Sequence, residues 1–131
     1  MAHVLVVDDD ASIRETLRFI LEDAGGHAVT EAATGTAALR ALSASHEPLV
    51  VLLDLIMPDL DGFGVLSEVA RDPELSTRHA YIVLTAGSQR DIAAAAPLLN
   101  PLLGRTLRKP FDIDAILGEV ASAAARLPAS D

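Results

Sequence analysis

The chain has 131 residues, with Cys 0, Trp 0, Tyr 1 and Phe 3, and a formal net charge of −9. Such a length supports one core, burying about 68% of the surface the unfolded chain exposes, and with so few rings that core must be aliphatic. Without cysteine there are no disulfides and no thiolate metal ligands, the acidic balance argues against direct nucleic-acid binding, and no apolar run approaches the ~20 residues of a membrane span. The N-terminus lacks the basic and apolar regions of a signal peptide. These features read as a soluble, cytoplasmic protein without membrane insertion.

The first predicted strand, 3–7, carries Val4-Leu5-Val6-Val7 and runs into Asp8-Asp9-Asp10. A helix follows, with Ser12 and Glu15 in a capping-box pattern and Ile13, Leu17, Ile20, Leu21 and Ala24 at helical spacing until Gly25-Gly26 stops it. A weaker strand is predicted at 27–30, then a helix near 34–45 with Ala38, Leu39 and Leu42 on one face. The strand at 49–53, Leu49-Val50-Val51-Leu52-Leu53, closes on Asp54. Its apolar residues do not alternate with polar ones, the pattern of a strand buried on both faces.

The third helix is predicted to start at Asp61-Gly62, to bury Phe63, Leu66 and Val69, and to end before Pro73. A strand at 80–84 ends in Thr85. Ser88 and Asp91 then cap a fourth helix that Pro97 is expected to shorten or kink, and that Pro101 keeps from resuming. The last strand, 105–108, precedes Lys109, and a final helix runs from Asp112 to Arg126 with Ile113, Ile116, Leu117, Val120 and Ala124 inward. Five strands alternating with five helices predict an α/β fold with a parallel sheet covered on both faces. The single domain is expected to span 1–127, with 128–131 as a tail or the start of a linker.

Carboxylates placed just after parallel strands meet at one sheet edge, where open α/β folds bind ligands. Two or three such acids suit Mg²⁺, which takes hard oxygen ligands and keeps several waters. Thr85 offers a hydroxyl at the same edge, and Lys109 an ammonium suited to a phosphoryl oxygen. A carboxylate can act as a nucleophile toward phosphorus, and Asp54, alone on its central strand, is the natural candidate. Asp10, Asp59 and Asp61 read instead as turn or cap residues. His3, His27, His46 and His79 stand outside these motifs and read as surface or strand-end residues.

VLVVDDD, VVLLDLIMPDLDG, Thr85-Ala86 and Lys109-Pro110-Phe111, in this order and spacing, resemble the receiver domain of two-component response regulators over nearly the whole chain. The resemblance implies a doubly wound, flavodoxin-like sheet of order 2-1-3-4-5. It implies Asp54 as phosphoacceptor, Asp8 and Asp9 as the acidic pair positioning Mg²⁺, and the backbone carbonyl of Ile56 as a further metal ligand. Thr85 and Lys109 become the groups that contact the phosphoryl oxygens, and the Lys109–Pro110 peptide is expected to be cis. The implied donor is a phosphohistidine on a sensor histidine kinase or a histidine phosphotransfer protein, and the implied chemistry is self-phosphorylation and self-hydrolysis in a signalling module, not turnover of an external substrate.

Two departures from the family pattern stand out. Thr106 occupies the position, three before the lysine, where receivers usually carry the Tyr or Phe of the switch that follows Thr85. The fourth helix reads Ala93-Ala94-Ala95-Ala96-Pro97-Leu98-Leu99-Asn100-Pro101-Leu102-Leu103, whose leucines are expected in the core, the other reading being an apolar patch for a partner or a second copy forming a homodimer. Both features motivate an alternative function, an adaptor that binds partners without phosphorylation. A free-standing phosphatase is disfavoured, because Leu55-Ile56 follow Asp54 where such enzymes carry a second acid two residues on.

Overall fold

A computed structural model describes residues 2–86 and 88–128; the tail expected at 128–131 lies outside the described residues beyond Pro128. Five parallel strands, β1 (His3–Val7), β2 (Ala28–Ala32), β3 (Val50–Asp54), β4 (Ala80–Thr85) and β5 (Arg105–Arg108), form one sheet of order β2-β1-β3-β4-β5. The helices are α1 (Ala11–Phe19), α2 (Gly35–Ala44), α3 (Gly62–Arg71), α4 (Pro73–Arg78), α5 (Gln89–Leu99) and α6 (Ile113–Ala125). The expected flavodoxin-like topology is therefore the observed one.

Alternation along the strands splits the core in two. Leu5, Val7, Val51, Leu53, Tyr81 and Val83 pack with α2, α3 and α5, whereas Val4, Val6, Val50, Leu52, Ile82 and Leu84 pack with α1 and α6. All five residues of β3 are buried, so its last one, Asp54, stands at the middle of the carboxyl-terminal edge with β1 and β4 on either side.

Local chemistry departs from the sequence expectations at several places. Asp10, not Ser12, caps α1: its Oδ1 accepts from the Ser12 N–H at 2.9 Å and the Ile13 N–H at 3.4 Å. Both residues can cap, but Asp10 already has extended backbone at the end of the β1 turn, so the helix begins at Ala11, two residues before a Ser12 cap would start it. Its last turn, Ile20–Ala24, is π-helical and leaves Ala24 exposed. Ile113 is likewise exposed, not inward.

Helix α4 is an element the five-helix reading lacks. Asp72 caps it, Pro73 opens it, and the Tyr81 hydroxyl donates to the Leu75 carbonyl at 2.8 Å. Helix α5 has the expected Ser88–Asp91 capping box yet runs through Pro97 to Leu99 before a 3₁₀ turn, Asn100–Leu102. Pro97 and Ala93 are both exposed, so water can satisfy the Ala93 carbonyl that a proline N–H cannot reach. The leucines divide: Leu99 is buried, Leu98 and Leu102 pack against the core, and Leu103 is exposed.

His79 stands immediately before β4, as the strand-end reading has it, but is buried and not on the surface. Its Nδ1 accepts from the Leu49 N–H at 3.0 Å, which requires the neutral ring with the proton on Nε2, 3.1 Å from the Leu42 carbonyl oxygen. The ring thus ties the end of α2 to the approach of β3. Burial holds its pKa below the ordinary 6.5, and Arg78 adds to this. A histidine with a depressed native pKa binds fewer protons folded than unfolded, so its stabilisation is present above pH 6.5 and lost as pH falls below it. His79→Gln, which keeps an acceptor and a donor, is expected to flatten the decline in urea midpoint on acidification from neutrality; an unaltered slope would assign the loss to other groups.

Candidate functional site: an acidic pocket with a lysine

The parallel register brings the ends of β1, β3, β4 and β5 to one edge. Asp8, Asp9 and Asp54 each place a carboxylate oxygen within 4.8 Å of the others, with Asp8 and Asp54 buried and Asp9 exposed. Lys109 reaches in after β5, its Nζ 3.0 Å from Asp8 Oδ2 and 3.7 Å from Asp54 Oδ2. The Lys109–Pro110 peptide is cis, as expected, and the Lys109 N–H donates to the Thr85 carbonyl at 2.8 Å, fixing the turn against the end of β4.

The cluster is electrostatically unbalanced, with three carboxylates facing one ammonium. Burial pushes the Asp54 carboxyl above its ordinary range; Lys109 opposes the rise, Asp8 adds to it, the Ile56 N–H at 3.3 Å from Oδ1 lowers it, and Asp9 raises it slightly. Hard oxygen donors crowded in this way, only partly neutralised, are the donor set a divalent cation satisfies, and the residues present fit Mg²⁺.

Of the remaining expected residues, Thr85 and Ile56 are also at this edge, whereas Thr106 pairs with Val83 two residues back along the β4–β5 ladder. Thr85 is fully buried at the end of β4. Ile56 follows Asp54 by two residues with an exposed side chain, and Thr106, half-buried, is the second residue of β5. Asp10 and Asp61 are helix caps, and Asp59 takes a positive φ of 61° in the turn between Asp54 and Asp61. A residue the sequence reading passed over is Arg14, whose Nη1 donates to the Asp8 carbonyl at 2.7 Å. Nothing local announces that contact, because its other partner, Glu31, lies on β2.

A sheet of this order with acids, a hydroxyl-bearing residue and a lysine at its carboxyl edge is the arrangement of a receiver-type signalling domain. The family profile described as "Response regulator receiver domain" matches residues 4–121, and the chain belongs to that family. It is 36% identical over 124 residues to the transcriptional regulatory protein PdtaR of Mycobacterium tuberculosis, covering 94% of this chain and 57% of PdtaR. The chain therefore spans little more than half the length of this relative. Among solved structures, a response regulator receiver domain protein from Clostridium thermocellum superimposes with a TM-score of 0.79 at 26% identity, covering 96% of both chains. The Thermotoga maritima response regulator TrrA, solved in complex with Mg²⁺-BeF, gives a TM-score of 0.76 at 27% identity, covering 94% of this chain and 99% of its own. Among the described residues, no helix is long and apolar enough to cross a membrane.

Proposed function

We propose that this receiver domain, spanning 1–127, accepts a phosphoryl group on Asp54 from a phosphohistidine of a sensor kinase or phosphotransfer protein in an Mg²⁺-dependent reaction. The observation carrying this reading is the convergence of Asp8, Asp9, Asp54 and Lys109, residues separated by up to 101 positions, on one pocket. Asp8 and Asp9, with Asp54 and the Ile56 carbonyl, are the residues that would hold the ion. When bound, Mg²⁺ supplies neutralisation of charge on the phosphoryl oxygens.

A carboxylate oxygen of Asp54 attacks phosphorus, the P–N bond breaks, and its electron pair departs with the imidazole. Burial of Asp54 removes competing water, and the Lys109 ammonium stands where a phosphoryl oxygen develops charge, so the chain contributes chiefly positioning and electrostatics. Thr85, at the end of β4, is assigned to a phosphoryl oxygen as its hydroxyl partner. Thr85 and Thr106 form the switch, and β5 then responds without the rotation of a large ring, because Thr106 has none.

Wild-type protein given a small-molecule phosphodonor and Mg²⁺ is expected to gain the mass of one phosphoryl group, and Asp54→Asn to gain none. Undiminished modification of the variant would remove Asp54 from the role. The adaptor alternative rests on Thr106 and predicts equal partner binding by wild type and Asp54→Asn, with and without donor.

A further inference from the structure

The Asp8–Asp9 peptide is held from outside the pocket by a cation whose ion pair is with Glu31 on β2 and whose contact with the turn is to a backbone carbonyl. Arg14 Nη1 donates to the Asp8 carbonyl at 2.7 Å, while its Nε donates to Glu31 Oε1 at 3.0 Å. The second oxygen of Glu31 takes the Arg18 Nε–H at 2.7 Å, and Arg18 Nη1 reaches Glu22 at 3.1 Å. The Arg14 side chain is only 16% exposed, that of Arg18 39%. The network thus has an inner half that touches the β1–α1 turn and an outer half that merely ties α1 to β2.

We propose that Arg14 is a positioning residue for the metal site: by holding the Asp8 carbonyl against Glu31 it fixes the orientation of the Asp8–Asp9 peptide, and so the direction in which Asp9 presents its carboxylate. This rests on the phosphoryl-site reading above. The physical reason is planarity. Because the peptide unit is rigid, pinning the oxygen of residue 8 sets ψ of Asp8 and φ of Asp9 together. The neighbouring constraints act elsewhere: the Asp8 N–H donates to the Ala32 carbonyl at 3.2 Å, and Asp8 Oδ1 takes the Asp10 N–H at 2.9 Å. Asp9 itself is exposed, so the turn beneath it must supply its order. Glu31 has a further role. Its carboxyl is held below the usual range, first by its bond to Arg18 and, against some burial, by Arg14; it stays ionised and offsets the positive charge that Arg14 brings near a cation site.

Positioning and simple electrostatics predict opposite signs. Deleting a nearby positive charge should tighten Mg²⁺ binding; deleting the brace should weaken it. Titration of Mg²⁺ followed by backbone NMR is expected to show Arg14→Met binding about ten-fold more weakly than wild type, the scale of losing a residue that orients a ligand, with native amide dispersion retained. Arg18→Met, which loses the outer half alone, should lower the thermal midpoint while leaving Mg²⁺ affinity within about two-fold of wild type, since it removes no contact to the turn. Arg14→Lys, which retains charge and one bond, should fall between wild type and Arg14→Met; together with Glu31→Gln, expected to weaken Mg²⁺ binding, it serves as the test if Arg14→Met fails to fold. Unchanged or tighter Mg²⁺ binding by Arg14→Met, or equal weakening by Arg14→Met and Arg18→Met, would overturn the proposal. Asp9→Asn separates the two levels: if it leaves the wild-type Mg²⁺ response intact, the metal reading itself fails, whereas loss in Asp9→Asn with no change in Arg14→Met overturns the brace alone.

Discussion

Lys109→Met is expected to slow phosphorylation of Asp54 from a small-molecule donor by about 100-fold or more, the cost of removing one preorganised charge from a developing phosphoryl oxygen. The same substitution acts on the resting protein. Asp8 Oδ2, 3.0 Å from the ammonium, and Asp54 Oδ2, 3.7 Å away, are both largely buried. Stripping a buried carboxylate of its partner costs about 3 kcal/mol, because an uncompensated charge is left in a poorly solvated place. Three carboxylates would then share the pocket with no cation, and Asp54, whose pKa Lys109 holds down, would rise further. Mg²⁺ should therefore stabilise the variant more than the wild type, since the ammonium no longer competes for Asp8, and a ligand that binds only the folded state stabilises in proportion to its affinity. Urea denaturation with and without Mg²⁺, beside a time course of intact mass, measures both effects. A wild-type phosphorylation rate in Lys109→Met would sink the role given to this lysine.

The second large effect is a matter of space. A Cβ added at Gly62 would lie 2.4 Å from the Asp54 carbonyl oxygen and 2.6 Å from the Leu55 Cα. Both are backbone atoms of the segment that carries Asp54, the proposed phosphoacceptor, and neither can rotate away. Gly62 also donates its N–H to the Leu55 carbonyl at 3.0 Å, so the start of α3 closes directly on the end of β3. Gly62→Ala must push the two apart, and we expect a loss of about 3 kcal/mol despite the gain in helix propensity. Gly118→Ala is the matched control. Its new methyl would meet nothing within 4 Å, and on the exposed side of α6 it should stabilise by about 0.8 kcal/mol. Equal and small effects at the two glycines would mean that the β3–α3 junction yields more readily than its close packing implies.

Much of this candidate site is legible in the sequence. The strands that carry it are continuous apolar runs because a parallel strand buried on both faces admits no polar alternation, and β1, β3 and β4 are of that kind. Their acids stand out because a carboxylate after such a run is close to a buried edge. The strand ends shift by a residue or two: β3 includes Asp54 and β4 includes Thr85, since the ladder continues to each candidate site residue itself. Helix α4 was not legible because Pro73 reads first as a stop, although Asp72-Pro73-Glu74 is equally the start of a new helix.

By itself, then, the sequence determined the alternation of strands and helices, the aliphatic core and the acids, hydroxyl and lysine that belong at one edge. Each depends on a residue's own chemistry or on neighbours within a few positions. Only the tertiary structure decided which of Asp10 and Ser12 caps α1, that Pro97 can sit within α5 facing water, that His79 is buried between Leu42 and Leu49, and that Arg14 joins Glu31 to the Asp8 carbonyl. The cap and the proline depend on where β1 ends and which face of α5 meets water. The His79 and Arg14 contacts depend instead on partners brought close by the packing of β1, β2, β3 and α2, and a hydrogen bond between residues far apart in the chain leaves no periodicity to read.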